Sequence, residues 1–288
     1  MYSNRALFLD VRSLAAEAST KAVSAAWLPY RPFSSYPTVV PVMMLHVSKN
    51  VIHLQDRPVY GFAQVDRILG LKPSTAERWI DGYRRGAKAY PPVIRPEQTG
   101  DEVVTWGEFI EARLLAQYRD EGALVAKMRP AVEKLREEVN TPYPLASAKT
   151  WLSVSGRELV RHVQEEVGLD RRLLLVVVRN DQQVLDWSPQ AQEFADSLHW
   201  QPAGRGSKRQ VVASLNPDPA IRDVVVDPLQ RFGEPSTNGV PTEIIRELYA
   251  AGDPIEMIAE MYGLSRPLVE AAIRYELRAA DAYAARAS

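Results

Sequence analysis

The sequence predicts an α+β chain, mainly α. Its expected parts are a winged helix-turn-helix, a small mixed α/β module and a C-terminal trihelical, helix-turn-helix-like domain. Three observations carry this. Two stretches, around residues 62–83 and 242–277, each pair short apolar-periodic helices across a glycine, as a helix-turn-helix does. Between them the apolar period changes to two, which suits strands. The 288 residues are 46% apolar, enough for two or three small cores. The expected boundaries are 1–49 for a flexible tail, 50–140 for the winged segment, 141–226 for the mixed module and 227–288 for an extended arm with the trihelical domain.

Composition excludes several functions. Lys plus Arg is 35 and Asp plus Glu is 36, a net charge of −1. A nucleic-acid packaging protein carries excess positive charge throughout, so that class is disfavoured, while a local basic face is not. No cysteine is present, which removes disulfides, thiol nucleophiles and thiolate metal sites. No apolar run approaches the roughly 18 residues of a membrane span. The expected location is cytoplasmic.

Residues 1–45 mix Ser, Ala, Pro and Tyr. Val11, Leu14, Ala15 and Ala18 fall on one side of a short helix over 11–26, and Pro29, Pro32, Pro37 and Pro41 block its continuation. Arg5 precedes Leu7-Phe8-Leu9, but Asp10 interrupts the run too early for a signal core. The expectation is a disordered tail or a start codon placed too far upstream, with Met43 and Met44 just before the first clear pattern.

The first helix spans Ala63 to Leu69, with Val65, Ile68 and Leu69 on one face, and stops at Gly70. Ser74 and Glu77 form a capping box for a second helix from Thr75 to about Tyr83, with Trp79 and Ile80 inward. Short strands over Tyr90–Arg95 and Glu102–Thr105, joined by a turn at Gly100-Asp101, are expected to make the wing. Thr105 and Glu108 cap the next helix, on which Phe109, Ala112, Leu115 and Ala116 recur. From Arg57 to Tyr90 seven basic residues face three acidic ones. This local excess is a phosphate-binding footprint, and Lys72, Ser74, Thr75, Arg78, Arg84 and Arg85 are the candidate DNA contacts.

A helix over Ala123–Val139 carries Leu124, Met128, Val132 and Leu135 on one face, and Pro130 should kink it or reset its start. Strands are expected over Trp151–Val154, Leu159–Val163, Leu173–Val178 and Gln210–Leu215, with a helix over Pro189–Ser197. Gly204–Arg209 is glycine-rich and basic but lacks a following helix, so it is an exposed turn. His46, His53, His162 and His199 gather no carboxylate cluster, and no nucleophile elbow, Walker loop or zincin motif occurs. No enzyme, cofactor or metal is expected.

Residues 227–239 are rich in Pro, Gly and Ser and suggest an extended arm. Thr242–Ala251 is a helix with Ile244, Ile245 and Leu248 inward. Asp253 and Glu256 form a capping box for a helix to Tyr262, and Ser265 caps a last helix holding Leu268, Val269, Ala272, Ile273 and Leu277. Over 241–288 there are eight acidic and five basic residues, unlike the first helix-turn-helix. This end is expected to contact protein rather than DNA.

The run Phe62-Ala63-Gln64-Val65-Asp66-Arg67-Ile68-Leu69-Gly70-Leu71, then Ser74-Thr75-Ala76-Glu77-Arg78-Trp79, resembles MerR-like winged helix-turn-helix domains. Trp79-Ile80-Asp81-Gly82-Tyr83, Thr105–Arg113 and Thr141–Ala146 are similar to the subset found in VapB-type antitoxins. Asp66 departs from the small residue usual there, which bears on how closely the two helices pack. The stretches Asp227–Pro235, Gly239–Thr242 and Asp253–Tyr275 resemble the C-terminal three-helix domain of many such antitoxins. The resemblance implies an antitoxin that binds operator DNA as a homodimer and neutralises a cognate PIN-domain ribonuclease toxin. An arginine fits the toxin's catalytic carboxylates bidentately, and Arg231, Arg274 and Arg278 are the candidate toxin contacts. The alternative is a stand-alone MerR-like regulator sensing a small ligand.

Overall fold

A computed structural model describes residues 53–120, 122–153, 155–179 and 184–287. The tail, its helix over 11–26 and His46 lie outside the described residues. The fold is α+β and mainly α, and the described strands form two-stranded antiparallel sheets. No helix among the described residues is long and apolar enough to cross a membrane.

Strand β1 (Pro58–Gly61) leads into α1 (Phe62–Ile68) and α2 (Thr75–Ile80). A hairpin of β2 (Tyr83–Arg85) and β3 (Lys88–Tyr90) follows, and β4 (Val103–Thr105) returns to pair with β1. Helix α3 (Trp106–Asp120) is the central element, and nearly every side chain from Trp106 to Ala116 is buried. Its start matches the sequence: Thr105 N–H donates to Glu108 Oε2 at 2.8 Å, and Glu108 N–H donates to Thr105 Oγ1 at 3.3 Å. Helix α4 (Arg129–Val139) begins beside Pro130, which resets the start as expected, after a 3-10 turn. Leu124 precedes that turn and is exposed, while Met128, Val132 and Leu135 are buried.

The middle differs from its expected strands in two places. Trp151 ends helix α5 (Ala148–Trp151), and residues 156–166 form α6 (Gly156–Glu166). Val160 and Val163 are buried while Arg161 and His162 are exposed, so the apolar spacing is helical rather than alternate. Two hairpins then form: β5 (Val176–Arg179) with β6 (Val184–Trp187), and β7 (Leu198–Pro202) with β8 (Gln210–Leu215). Helix α7 (Pro189–Asp196) lies between them, capped by Ser188 as a hydroxyl before proline favours. Gly204–Arg209 is the exposed turn of the second hairpin. One apolar core runs from Tyr60 through Trp106, Phe109 and Phe194 to Val226. Trp106 Nε1–H donates to the Val212 carbonyl at 2.8 Å, tying α3 to β8.

Residues 227–240 are not a free arm. Bridges join Leu215 to Val226 and Val225 to Ser236, and β9 (Ser236–Thr237) pairs with β10 (Val240–Pro241). Tyr60 Oη–H donates to the Gly233 carbonyl at 2.5 Å, and Gln64 and Arg67 both donate to the Glu234 carboxylate, at 2.6 and 2.7 Å. A Cβ on Gly233 would lie 2.5 Å from Tyr60 Oη, and its φ is +80°, so only glycine fits this approach. Proline and glycine here serve a packed turn, not a linker.

Helices α8 (Thr242–Ala251), α9 (Ile255–Tyr262) and α10 (Arg266–Ala287) enclose a small second core of Ile245, Ile258, Leu264, Val269, Ala272 and Ile273. Ile244 is exposed, contrary to the inward placement expected from periodicity, and Leu277 on α10 is exposed as well. The three helices bury a narrow stripe, and these residues lie outside it. The Asp253–Glu256 capping box does not form: Pro254 is the N-cap, and no side chain caps the helix. Glu256 instead accepts from Arg266 Nη1 at 2.5 Å.

Candidate nucleic-acid interface

The two helices of the helix-turn-helix are locked by a residue of the first. Asp66 is buried, and its Oδ1 accepts the Ala76 N–H at 2.8 Å. Ser74 has a left-handed backbone (φ 60°) and makes no side-chain cap bond, so the Ser74–Glu77 box expected from sequence is absent. A carboxylate from across the turn takes that role. Burial raises the Asp66 pKa, and the N–H groups of Ala76, Ser74 and Thr75 oppose that rise.

The wing is also displaced from its expected place. Residues 91–95 form no strand, and β4 pairs with β1 rather than with them. The hairpin is 83–90, directly after α2, which ends at Ile80 and not at Tyr83. Gly82 makes the tight exit: its φ is +75°, and a Cβ would lie 2.6 Å from the Tyr90 carbonyl oxygen. Arg84 and Arg85 therefore stand on the hairpin, not on the second helix.

Lys72, Ser74, Arg78, Arg84 and Arg85 are exposed, and Thr75 is half-buried. Lys88, at the far side of the hairpin turn, joins them. Tyr83 and Tyr90 stack with ring centroids 4.5 Å apart. The Arg78 guanidinium lies 5.7 Å from the Tyr83 ring centre, and the Lys88 ammonium 4.9 Å from that of Tyr90. These contacts bring the exposed side of α2 and the hairpin onto one surface.

Two of the three acids of this stretch are withdrawn from that surface. Of the three acids, Asp66 is buried as a cap, and Asp81 is buried against Arg95 at 2.8 Å. Glu77 is exposed. None of Lys72, Arg78, Arg84, Arg85 and Lys88 is ion-paired with a carboxylate among the described residues. Arg67 does not belong to this surface, because it pairs with Glu234.

Arg95, which sequence reasoning placed only in a wing strand, builds the platform. Its Nε donates to Glu108 Oε1 at 2.7 Å, its Nη1 to Asp81 and Thr99, and its Nη2 to the Val103 carbonyl. Asp81 in turn accepts the N–H groups of Thr99 and Gly100, at 2.8 and 2.9 Å. This network fastens the 95–103 loop beneath the end of α2. An isolated arginine in a sequence carries no signal for such a role.

The three candidate toxin contacts do not form one cluster. Arg274 and Arg278 are one turn apart on α10, and Arg278 pairs with Asp218 at 3.1 Å. Arg231 lies in the 227–240 segment, with Nε donating to the Gly239 carbonyl at 3.0 Å, and borders a cavity shared with Glu276. Glu276 is two residues from Arg274 and from Arg278, so it projects from a different side of the helix. Beside Arg231, Phe232 is 90% exposed and held at φ 56°. Sequence reasoning gave Phe232 no functional role.

Residues 224–275 match a family model described as Protein of unknown function (DUF433). The match starts at the bridges of the 227–240 segment and ends within α10. The chain is 35% identical over 196 residues to the uncharacterized protein Rv2308 of Mycobacterium tuberculosis, covering 68% of this chain and 79% of that protein. The crystal structure of Rv2018 from Mycobacterium tuberculosis is similar with a TM-score of 0.59 at 23% identity, over 76% of this chain and 98% of that one. That likeness is one of fold.

Proposed function

The chain belongs to the same family as the uncharacterized protein Rv2308 of Mycobacterium tuberculosis, and we propose that it is a DNA-binding antitoxin. In this reading it is a VapB-type protein with a MerR-like winged helix-turn-helix that binds its own operator and neutralises a PIN-domain ribonuclease. The observation that carries the DNA-binding half is the surface of Lys72, Arg78, Arg84, Arg85 and Lys88 around α2 and the hairpin. Five exposed cations with no ion pair to a carboxylate among the described residues suit a phosphate backbone, and a short helix beside a wing suits a major groove. Two such units on a two-fold operator would act as a homodimer.

The toxin half rests on the C-terminal segment. The region after Pro241 is acidic overall, and a ribonuclease mouth must be positive to hold RNA. Arg231 and Phe232 project from one packed turn, a guanidinium beside an aromatic anchor. Arg278 is already paired, and Arg231 stands beside the exposed Phe232, so Arg231 is a better candidate than Arg278 to reach a carboxylate centre. The test has two arms. The full chain is titrated by fluorescence anisotropy against DNA upstream of its own gene, and it is co-expressed with the protein encoded beside that gene, which on this reading is a PIN-domain ribonuclease. Salt-sensitive, sequence-selective binding together with rescue of growth and co-purification is the expected result. Binding to all DNA alike, with no rescue, overturns the proposal.

A further inference from the structure

Within residues 72–90 two acids occur, Glu77 and Asp81, and only Glu77 is exposed. It stands in the first turn of α2, whose inner side is Ala76, Trp79 and Ile80. The role that local sequence gives it is empty, because the capping box with Ser74 does not form and Asp66 takes the Ala76 N–H instead. Among the described residues the Glu77 carboxylate makes no hydrogen bond and no ion pair, although five exposed cations share its surface. Arg78, its neighbour in the chain, has its guanidinium 5.7 Å from the Tyr83 ring centre, at the hairpin. Ser74, Glu77 and Arg78 are spaced three and four residues apart and share one side of the helix.

A surface made only to hold phosphate gains nothing from a free carboxylate, which repels the nucleic-acid backbone. A surface that reads bases does gain from one, since repulsion of the wrong partner is a source of specificity. The major-groove edges of the bases differ in this respect. Guanine presents N7 and O6 and thymine presents O4, acceptors that repel a carboxylate. Adenine presents an amino group with the N7 acceptor beside it. Cytosine presents its N4 amino group alone, so a carboxylate selects cytosine.

We infer that Glu77 is a specificity-determining residue of the interface, whose carboxylate accepts a hydrogen bond from the N4 amino group of one cytosine in the major groove. The inference rests on the DNA-binding reading of this surface and adds to it which base is read and by which side chain. Lys72, Arg84 and Arg85 then supply sequence-independent affinity through phosphate, and Glu77 lowers that affinity everywhere except at sites that offer the amino group.

The test takes wild type, Glu77→Gln and Glu77→Ala, each as the full chain, through selection on one pool of duplexes of random sequence. Wild type is expected to enrich a site with cytosine at a fixed position. Glu77→Gln is expected to enrich adenine there, because a carboxamide matches adenine N6 and N7, and Glu77→Ala to lose preference at that position alone. Fluorescence anisotropy then follows the wild-type site with that cytosine replaced by a pyrimidinone base that lacks the amino group. Wild-type affinity is expected to fall by about tenfold or more, the scale of a lost hydrogen bond to a charged group, and that of Glu77→Ala to stay level. Both variants should bind an unselected duplex more tightly than wild type, since a negative charge near phosphate is gone. A first-turn acid that only favours the helix dipole would move the melting temperature and leave base preference alone. Enrichment of one and the same site by all three proteins overturns the inference and leaves the DNA-binding reading standing. Failure of wild type to enrich any site overturns both.

Discussion

Asp66 in the first helix accepts the Ala76 N–H at the start of the second, and this 2.8 Å bond fixes one helix of the pair against the other. A capping side chain normally comes from the residue just before its helix. Here it arrives from across the turn, so the cap also sets the angle between the helices. Asp66→Ala is expected to destabilise the fold by about 1–2 kcal/mol, the range for a lost N-cap. Ser74→Ala, at the position that local sequence nominates, should change stability by no more than about 0.5 kcal/mol. Urea unfolding of both variants checks this. Equal losses would return the cap to Ser74.

Arg84 and Arg85 are exposed on the hairpin, so they are free to meet phosphate without supporting the fold. The Arg84→Ala, Arg85→Ala double variant is expected to keep wild-type stability and lose operator affinity. The slope of log affinity against log salt should fall by about 1 for each phosphate contact removed. Unchanged affinity and slope would remove the hairpin from the interface.

Arg95 is the opposite case. Removing it leaves Asp81 and Glu108 buried without their cation. Arg95→Met is expected to cost about 3–5 kcal/mol, as breaking one side of a buried ion pair does. A thermal melt within a degree of wild type would show that the loop is held by something else.

Glu111 gives a pH dependence. It is fully buried, its Oε1 accepts the Leu145 N–H at 2.8 Å, and its Oε2 has no hydrogen-bond partner among the described residues. Burial pushes its pKa up from 4.5 to about 8, outweighing the Leu145 bond that lowers it. Between those two values the folded chain holds a proton that the unfolded chain has lost. Stability from this group is therefore complete below about pH 4.5, falls as pH rises, and levels off above about 8. Glu111→Gln cannot ionise, so its stability relative to wild type should climb over that window. A constant difference between the two proteins across it would contradict the assignment.

Phe232 is 90% exposed, so its side chain contributes little to the fold. Phe232→Ser is expected to unfold with wild-type parameters, yet, on the antitoxin reading, to lose rescue when co-expressed with the ribonuclease proposed as its partner. Full rescue would place the toxin contact elsewhere.

Sequence alone determined the elements whose signals are local. Thr105 and Glu108 announced the start of α3 and Pro130 the reset before α4, because caps and breakers act within one turn. It also placed Lys72, Arg78, Arg84 and Arg85 near one another, since they lie close in the chain. The tertiary structure decided where partners are far apart or compete. β4 could pair with the segment after β3 or with β1, and β1 wins because that pairing seats Trp106 and α3 in the core. The Pro- and Gly-rich stretch at 227–240 is a packed turn because Tyr60, Gln64 and Arg67 satisfy its carbonyl and carboxylate groups from α1 and β1. Arg95 and Arg113 are both buried arginines, and no periodicity distinguishes them. One is enclosed by acids and the other keeps two buried nitrogens without a hydrogen-bond partner among the described residues, a difference set by which helices and loops the chain brings together around each guanidinium.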